Sequence, residues 1–353
     1  MKKLITIIWA RPQFIKHAPV DKIIKKYAKN IVIHTWQHFD KNMSDIFFQQ
    51  LEIDKPHYNL NIHWWNHWEM TWKMMIEIEK IVLKESPDFI LVYGDTNSTL
   101  AWALVWAKLH IPIIHVEAWL RSFDKKMPEE INRILTDHSS TYLLSPTQQW
   151  IENLKNEWIT KWIFRIQDPM YLTANYFLSK TEKLDLLDKF WLKKSWYYFV
   201  TIHRPSNTDN KKQLVNIINL LNNLNKPVLF PIHPRTQKRL EEFWIQVWEN
   251  IKLIQPTWYL ETLYFMKNSD TIITDSGWLQ KEAYILWKNI FTVRNTTEWI
   301  ETVEIGKNKL ILDKNWELLS DAKELIENYR WWEYKDFYWE GENLEDLFGK
   351  IIN

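Results

Sequence analysis

The chain has 353 residues, enough for two domains and too many for one small core. It contains no Cys, which excludes disulfide frameworks, cysteine zinc sites and thiol nucleophiles. Forty-five Lys and Arg stand against 44 Asp and Glu, a net charge of +1, so no strong field is available to grip a nucleic-acid backbone or an anionic membrane.

Lys2 and Lys3 precede an apolar run, Leu4 to Ala10, that meets Arg11 without a cleavage-like site and is too short for a signal peptide. It reads as a buried first strand. No window approaches about 18 apolar residues, so no spanning helix is expected and a cytoplasmic globular protein is. Short apolar, β-branched runs continue at Ile31–Thr35, Phe89–Tyr93, Ile111–Val116, Thr141–Leu144 and Ile163–Ile166. Six more follow at Tyr197–Ile202, Val228–Ile232, Ile251–Ile254, Thr271–Thr274, Ile290–Val293 and Leu310–Leu312. Runs without alternation read as strands buried on both faces. Amphipathic stretches such as Lys73–Lys84 and Lys211–Asn225 separate them, which predicts parallel sheets with right-handed crossovers. The fold expected is α/β, two Rossmann-like doubly wound halves. The polar stretch Ser179–Ser195 sets the boundary region. The domains are placed at 1–170 and 171–335, with 336–353 a C-terminal helix that could pack back on the first domain.

One count is abnormal. There are 24 Trp and only 5 Gly, where ordinary usage gives about 25 glycines. Trp also falls where a chain wants no side chain: Trp9 ends the first run, Trp64 and Trp65 are adjacent, and Trp278 follows Gly277 at a helix start. Most of these residues are expected to stand for glycine in the natural protein, through a gene whose UGA codons mean glycine but were read as Trp. TGG codons at positions 9, 64 and 65 would count against that.

In open parallel sheets, ligands bind beyond the carboxyl ends of the strands. After the successive runs come Arg11 and Lys16; Gln37 and His38; Gly94 and Asp95; Glu117 with Arg121; His203 and Arg204; His233 and Arg235; Ser276 and Gly277 with Glu282; and Arg294. Such a gathering of basic, His and carboxylate groups on one edge of each sheet suits an anion-binding site in a central cleft between domains. Each element has a plainer reading. Arg11 and Lys16 could be a solvated helix start, and Asp95 or Ser276 an N-cap. Ser276-Gly277 could equally cradle phosphate on free N–H groups. Glu129 and Glu130 could be first-turn helix charges. Glu117, directly after a strongly apolar strand, is harder to dismiss, because a partly desolvated carboxylate can change its pKa. His63 and His67 lack the H-E-x-x-H pattern, so no metal is expected. The G-x-G-x-x-G, P-loop and G-x-S-x-G motifs are also absent, which disfavours nicotinamide redox chemistry, P-loop phosphoryl transfer and α/β-hydrolase acyl transfer.

The segments WARPQFIK, HTWQHFD, YGDTNSTLA, HVEAWLRSF, MPEEINR, TIHRPSNTD, PIHPRT, TDSGWLQKEA and TTEWIETV, in this order, resemble the non-hydrolysing UDP-N-acetylglucosamine 2-epimerases. The likeness runs from residue 1 to about 306 and recurs weakly near Tyr338. That family has glycine at positions 9, 36, 119 and 278, which supports the recoding independently, and accepts Trp at 299. The resemblance implies a GT-B-type fold closing on a UDP-sugar, a homodimer with no nucleic-acid or membrane partner, and no metal or redox cofactor. It implies interconversion of UDP-GlcNAc and UDP-ManNAc by elimination and re-addition of UDP through 2-acetamidoglucal, in polysaccharide biosynthesis. Carried over by position, Asp95, Glu117 and Glu129 would be acid/base groups and His203 would assist the departing diphosphate. Arg11, Lys16 and the Ser276–Gly277–Trp278 helix start would hold phosphate, Glu282 the ribose hydroxyls, and Tyr259 and Arg294 the nucleotide. Gln37, His38, Arg121, Arg204 and His233 complete the substrate contacts. Two segments depart from the pattern: QDPMY at 167–171, and a literal Trp9 and Trp278, which would crowd the phosphate. HFDKNMSDIFF and NHWEMTW resemble a sub-branch acting on UDP-2,3-diacetamido-2,3-dideoxyglucuronate. A hydrolysing relative that releases free ManNAc would share many of these motifs, and so would a non-catalytic protein that only binds a UDP-sugar. Three retained carboxylates argue against the non-catalytic reading.

Overall fold

The computed structural model describes residues 1–9, 11–35, 48, 51–62, 66–118, 120–331, 338 and 340–353, with Arg11 and Pro12 as backbone only. The chain divides into two compact units, Met1–Thr173 with Asp336–Asn353, and Ala174–Lys335.

The first unit carries a parallel sheet of β1 (Lys2–Ile8), β2 (Ala28–His34), β3 (Tyr58–Asn59), β4 (Phe89–Tyr93), β5 (Ile113–Val116), β6 (Tyr142–Ser145) and β7 (Ile163–Arg165), in the order β3-β2-β1-β4-β5-β6-β7. The second carries β8 (Tyr198–Thr201), β9 (Val228–Pro231), β10 (Ile251–Ile254), β11 (Thr271–Thr274), β12 (Asn289–Thr292) and β13 (Asn308–Leu310), in the order β10-β9-β8-β11-β12-β13. Each is the doubly wound α/β arrangement the apolar runs predict, of the Rossmann-like kind from which GT-B-type folds are built. The strands form where they do because β-branched and aromatic side chains are covered on both faces: every residue of β4, β5 and β11 is buried. Two details differ from the sequence reading. The first sheet has a seventh strand, β3, whose two half-polar residues give no apolar run. The last strand ends at Leu310, and Leu312 instead makes an antiparallel bridge to Leu318.

Each sheet reverses direction once, between β1 and β4 and between β8 and β11, and the crevice at such a reversal is where doubly wound folds place ligands. The C-terminal helix Leu344–Ile352 packs on the first unit. Its Leu344, Leu347, Phe348 and Ile352 are buried with Leu4, Val20 and Ile24, each contributing on the order of 2 kcal/mol of apolar burial. Among the described residues no helix is long and apolar enough to cross a membrane.

The tryptophan excess has a backbone counterpart. Trp158, Trp162, Trp191, Trp244, Trp287 and Trp316 all have φ between 51° and 66°, the left-handed region that costs a side-chain-bearing residue about 1 kcal/mol and glycine nothing.

Candidate active site

In the first unit the site is built at the ends of β1, β4 and β5. Glu117 follows β5 with φ of 64°, a left-handed conformation rare outside glycine and characteristic of functional positions. The surroundings enforce it: the Glu117 and Ala118 N–H groups both donate to the Leu144 carbonyl, at 3.1 and 3.2 Å. Its carboxylate pairs with the Lys16 ammonium from the helix Arg11–Ile24, and both side chains are largely buried.

Asp95 follows Gly94, whose φ of 62° turns the chain out of β4. The Asp95 carboxylate accepts from Arg133 at 2.8 Å (Nε) and 2.6 Å (Nη2), and the third guanidinium nitrogen donates to Glu130 at 3.0 Å. Burial pulls Glu130 upward, but donors on Ser122, Arg133 and the Phe123 backbone outweigh it and hold the carboxyl below its ordinary range. The two adjacent glutamates therefore separate. Glu130 is 1% exposed and spent on structure, while Glu129 is exposed in the first helical turn. His115 braces the same edge, bridging the Asp137 carboxylate at 2.7 Å and the Gly94 carbonyl at 2.8 Å. Arg121 completes the brace, donating to Asp137 and Glu157 at 2.9 Å each.

In the second unit the H-R-P and H-P-R sequences do the positioning. Proline pushes the preceding residue into extended backbone and then starts a helix. Arg204 (ψ 140°) and His233 (ψ 142°) thus sit at strand-to-helix switches after β8 and β9. Asp275, at the end of β11, is fully buried. It accepts from the His203 N–H at 2.9 Å, the Arg204 N–H at 2.9 Å, Asn207 Nδ2 at 3.0 Å and the His203 ring Nδ1 at 3.0 Å. Burial raises the pKa of Asp275, and these donors, His203 first, more than reverse it, so the net direction is down. The His203 and His233 rings lie 5.7 Å apart and both line a pocket of about 200 Å³ with Thr201, Thr257, Thr262 and Leu279. Burial and the neighbouring His203 and Arg235 lower the pKa of His233.

Beside the His203 pocket, Ser276 caps the helix Gly277–Ile285 through its hydroxyl, and Trp299 Nε1 donates to the Gly277 carbonyl at 2.7 Å. A Cβ at Gly277 would lie 3.3 Å from Glu298 Oε2, a tight contact that favours glycine. Arg294 grips Glu298 with both terminal nitrogens, at 2.8 and 3.1 Å, and Tyr259 is hydrogen-bonded to Glu282 inside the unit. Among the described residues no cluster of His, Asp and Glu could hold a metal ion.

A sequence profile of the UDP-N-acetylglucosamine 2-epimerases matches residues 22–351. A UDP-N-acetylglucosamine 2-epimerase homolog of Methanococcus maripaludis is 51% identical over 315 residues, 88% of each chain. The chain belongs to the UDP-N-acetylglucosamine 2-epimerase family. It is therefore an epimerase, an isomerase by reaction class. The UDP-2,3-diacetamido-2,3-dideoxy-D-glucuronate 2-epimerase of Pseudomonas aeruginosa is 45% identical over 318 residues, again 88% of each chain. Methanocaldococcus jannaschii UDP-GlcNAc 2-epimerase, crystallised with UDP-GlcNAc and UDP, superposes with a TM-score of 0.84 at 41% identity over 99% of both chains.

Within this family member, Lys16, Asp95, Glu117 and Glu129 fall on one sheet edge of the first unit, and His203, Arg204, His233, Ser276–Trp278 and Arg294 on one edge of the second. Arg121 stands apart: its side chain is 1% exposed and turned to Asp137 and Glu157. Glu282 and Tyr259 are likewise turned to each other, each under 10% exposed. Gln37 and His38 lie outside the described residues, and Arg11 is described as backbone only. Sequence reasoning missed Asp275 and Arg133. The signal for Asp275 was an acid closing an apolar run just before Ser276-Gly277; for Arg133 it was the spacing of three from Glu130 on one helix face.

Proposed function

We propose that this epimerase interconverts UDP-N-acetylglucosamine and UDP-N-acetylmannosamine. A carboxylate removes the C2 proton, the C1–O bond breaks, and its electrons leave with UDP, forming 2-acetamidoglucal. UDP then adds back at C1 while a proton returns to C2 from the opposite face. Glu117 carries the reading: a strained, shielded carboxylate at the end of β5, one strand from Asp95, suits proton transfer better than ligand holding. Asp95, Glu117 and Glu129 share the acid/base work. His203 assists the departing diphosphate, with Arg11, Lys16 and the Ser276–Trp278 helix start as its anion partners. Arg294, Tyr259 and Glu282 serve the nucleoside, Gln37, His38, Arg204 and His233 contact substrate, and Arg121 acts indirectly by fixing the chain just after Glu117. The proposed route calls on no metal or redox cofactor, because elimination and re-addition move only a proton and the UDP leaving group, with no hydride transferred. Incubation with UDP-GlcNAc followed by proton NMR tests this: UDP-ManNAc should accumulate to equilibrium, and release of free sugar or no conversion contradicts it.

A second substrate reading rests on the 45% identity to a UDP-2,3-diacetamido-2,3-dideoxy-D-glucuronate 2-epimerase. Turnover of that sugar nucleotide, with UDP-GlcNAc left untouched, would replace the first reading. A homodimer is supported by Ile76 and Leu83 on the helix His67–Glu85 and Ile131 and Leu135 on Pro128–Ser139, all more than 40% exposed on helices flanking Asn97–Lys108. Sedimentation at a monomer's mass across micromolar concentrations would rule it out. The reading places the enzyme in the cytoplasm with its nucleotide-sugar substrate; recovery in a membrane or secreted fraction would count against that.

A further inference from the structure

We propose that Asp275 is a positioning residue that holds His203 as the Nδ1–H tautomer, so that Nε2 is the atom presented to the departing diphosphate. The inference rests on the role given to His203 above. A carboxylate can only accept, so the 3.0 Å contact to Nδ1 makes that nitrogen the donor and leaves Nε2 as the other functional atom. The carboxylate is itself immobile. It is fully buried and anchored by the His203 and Arg204 backbone N–H groups and by Asn207 Nδ2, which also donates to the Val293 carbonyl at 2.9 Å. One acid thus ties β8, β11 and the chain after β12 to a single ring. That ring keeps 38% of its side-chain surface exposed and lines the pocket beside the Ser276 helix start. With Nδ1–H held by Asp275, Nε2 is the free nitrogen that takes up a proton from solvent; when the C1–O bond breaks, its electrons pass to the β-phosphate oxygen, and that Nε2–H hydrogen-bonds the oxygen.

Two-bond ¹⁵N–¹H NMR of His203 in the intact protein tests the tautomer directly: the neutral ring should be protonated on Nδ1, and protonation on Nε2 overturns the proposal with no variant needed. Kinetics test its use. Asp275→Asn should lower kcat roughly a hundredfold with KM little changed, and should cost nothing further in a His203→Asn background. A full additional loss in that background means Asp275 acts independently of His203, and overturns the proposal. If Asp275→Asn disturbs the tautomer while His203→Asn retains full turnover, the positioning stands and the role of His203 in the reaction fails.

A different observation carries a second inference. The structure assigns glycine, in the natural protein, to positions 158, 162, 191, 244, 287 and 316. Three of them close α-helices in the same way, and Trp191 closes the 3₁₀ turn Asp188–Phe190 with the same pair of bonds. Trp158 and Ile159 donate to Lys155 and Leu154 at 3.0 Å each; Trp244 and Ile245 donate to Glu241 and Leu240 at 3.2 and 3.0 Å; Trp287 and Lys288 donate to Tyr284 and Ala283 at 3.0 Å each. This paired pattern is the Schellman helix stop, whose left-handed position belongs to glycine. Two of these indoles gain little in return, Trp158 being 92% exposed and Trp244 90%, while Trp287, 39% exposed, lies beneath the Lys307 ammonium. With 24 Trp against 5 Gly, one cause accounts for all six, a UGA codon that means glycine in the source organism. Peptide mass spectrometry of the protein from its own cells should find glycine at every one of the six; tryptophan at any of the three helix stops overturns the inference. Replacing the six by glycine in a recombinant chain should raise the unfolding midpoint by several degrees, and a lowered midpoint also overturns it.

Discussion

Lys16 and Glu117, 101 residues apart in sequence, form an ion pair with 12% and 9% of their side chains exposed. The ammonium faces the carboxylate in a largely shielded place. Lys16→Met removes that charge, and with it a cation partner proposed for the diphosphate, so kcat/KM should fall about 10- to 100-fold, read from initial rates against UDP-GlcNAc concentration. Unchanged kcat/KM would show that Lys16 serves neither partner.

Glu117→Gln keeps the shape of the side chain and removes its basicity. Turnover should fall by about 10²- to 10⁴-fold while substrate binding changes little. Near-normal turnover takes Glu117 out of the acid/base set.

The left-handed backbone of Glu117 makes a separate prediction about stability. Glu117→Gly and Glu117→Ala both lose the carboxylate, yet only Gly relieves the strain. The Gly variant should be more stable than the Ala variant by about 1 kcal/mol in urea unfolding. Equal stabilities would mean that the conformation costs nothing.

Glu129 and Glu130 should respond in opposite ways. Glu130→Gln breaks a buried set of bonds to Ser122, Phe123 and Arg133, and should cost about 2 to 4 kcal/mol of stability. Glu129→Gln, at an exposed position, should leave the unfolding midpoint in place and lower turnover. Matched losses of stability in both variants would contradict the division.

Both doubly wound sheets were legible because strands covered on two faces leave runs with no polar alternation, as in Phe89–Tyr93 and Thr271–Thr274. Tyr58–Asn59 escaped because two residues of half-polar character make no run, and its pairing with β2 is decided by tertiary contact. Part of the candidate site was legible as strand-end residues: Asp95, Glu117, His203, His233, Ser276 and Arg294 each sit one or two positions beyond an apolar run. What each one does was less so. Arg121 is four residues from Glu117 in sequence, yet it turns to Asp137 and Glu157, 16 and 36 positions away. The split between Glu129 and Glu130 depends on the loop at Ser122 and Phe123 folding back onto the helix. The pairing of His203 with Asp275 spans 72 residues and follows from β8 and β11 lying side by side.

Stability should fall in mild acid. Burial, opposed by Asp21 and reinforced by Lys25, lowers His17 to about 4; burial, opposed by a bond to the Trp9 carbonyl, lowers His34 to about 4. Unfolded, both rings take up protons near pH 6.5, so between about 6.5 and 4 the unfolded state binds more protons and stability declines as pH falls. The loss should reach on the order of 3 kcal/mol per ring at the acid end of that window. Thermal midpoints measured at intervals across it would show the decline. A flat profile from pH 7 to 4, bounded by the ordinary and lowered His values, would contradict it.

The most direct measurement is the fate of the hydrogen at C2 when UDP-GlcNAc is incubated with the protein in deuterium oxide. Elimination and re-addition through a protein carboxyl should place solvent deuterium at C2 of both UDP-GlcNAc and UDP-ManNAc, seen as loss of the C2 proton signal. Conversion with the original hydrogen retained at C2, or no exchange and no conversion at all, would contradict it.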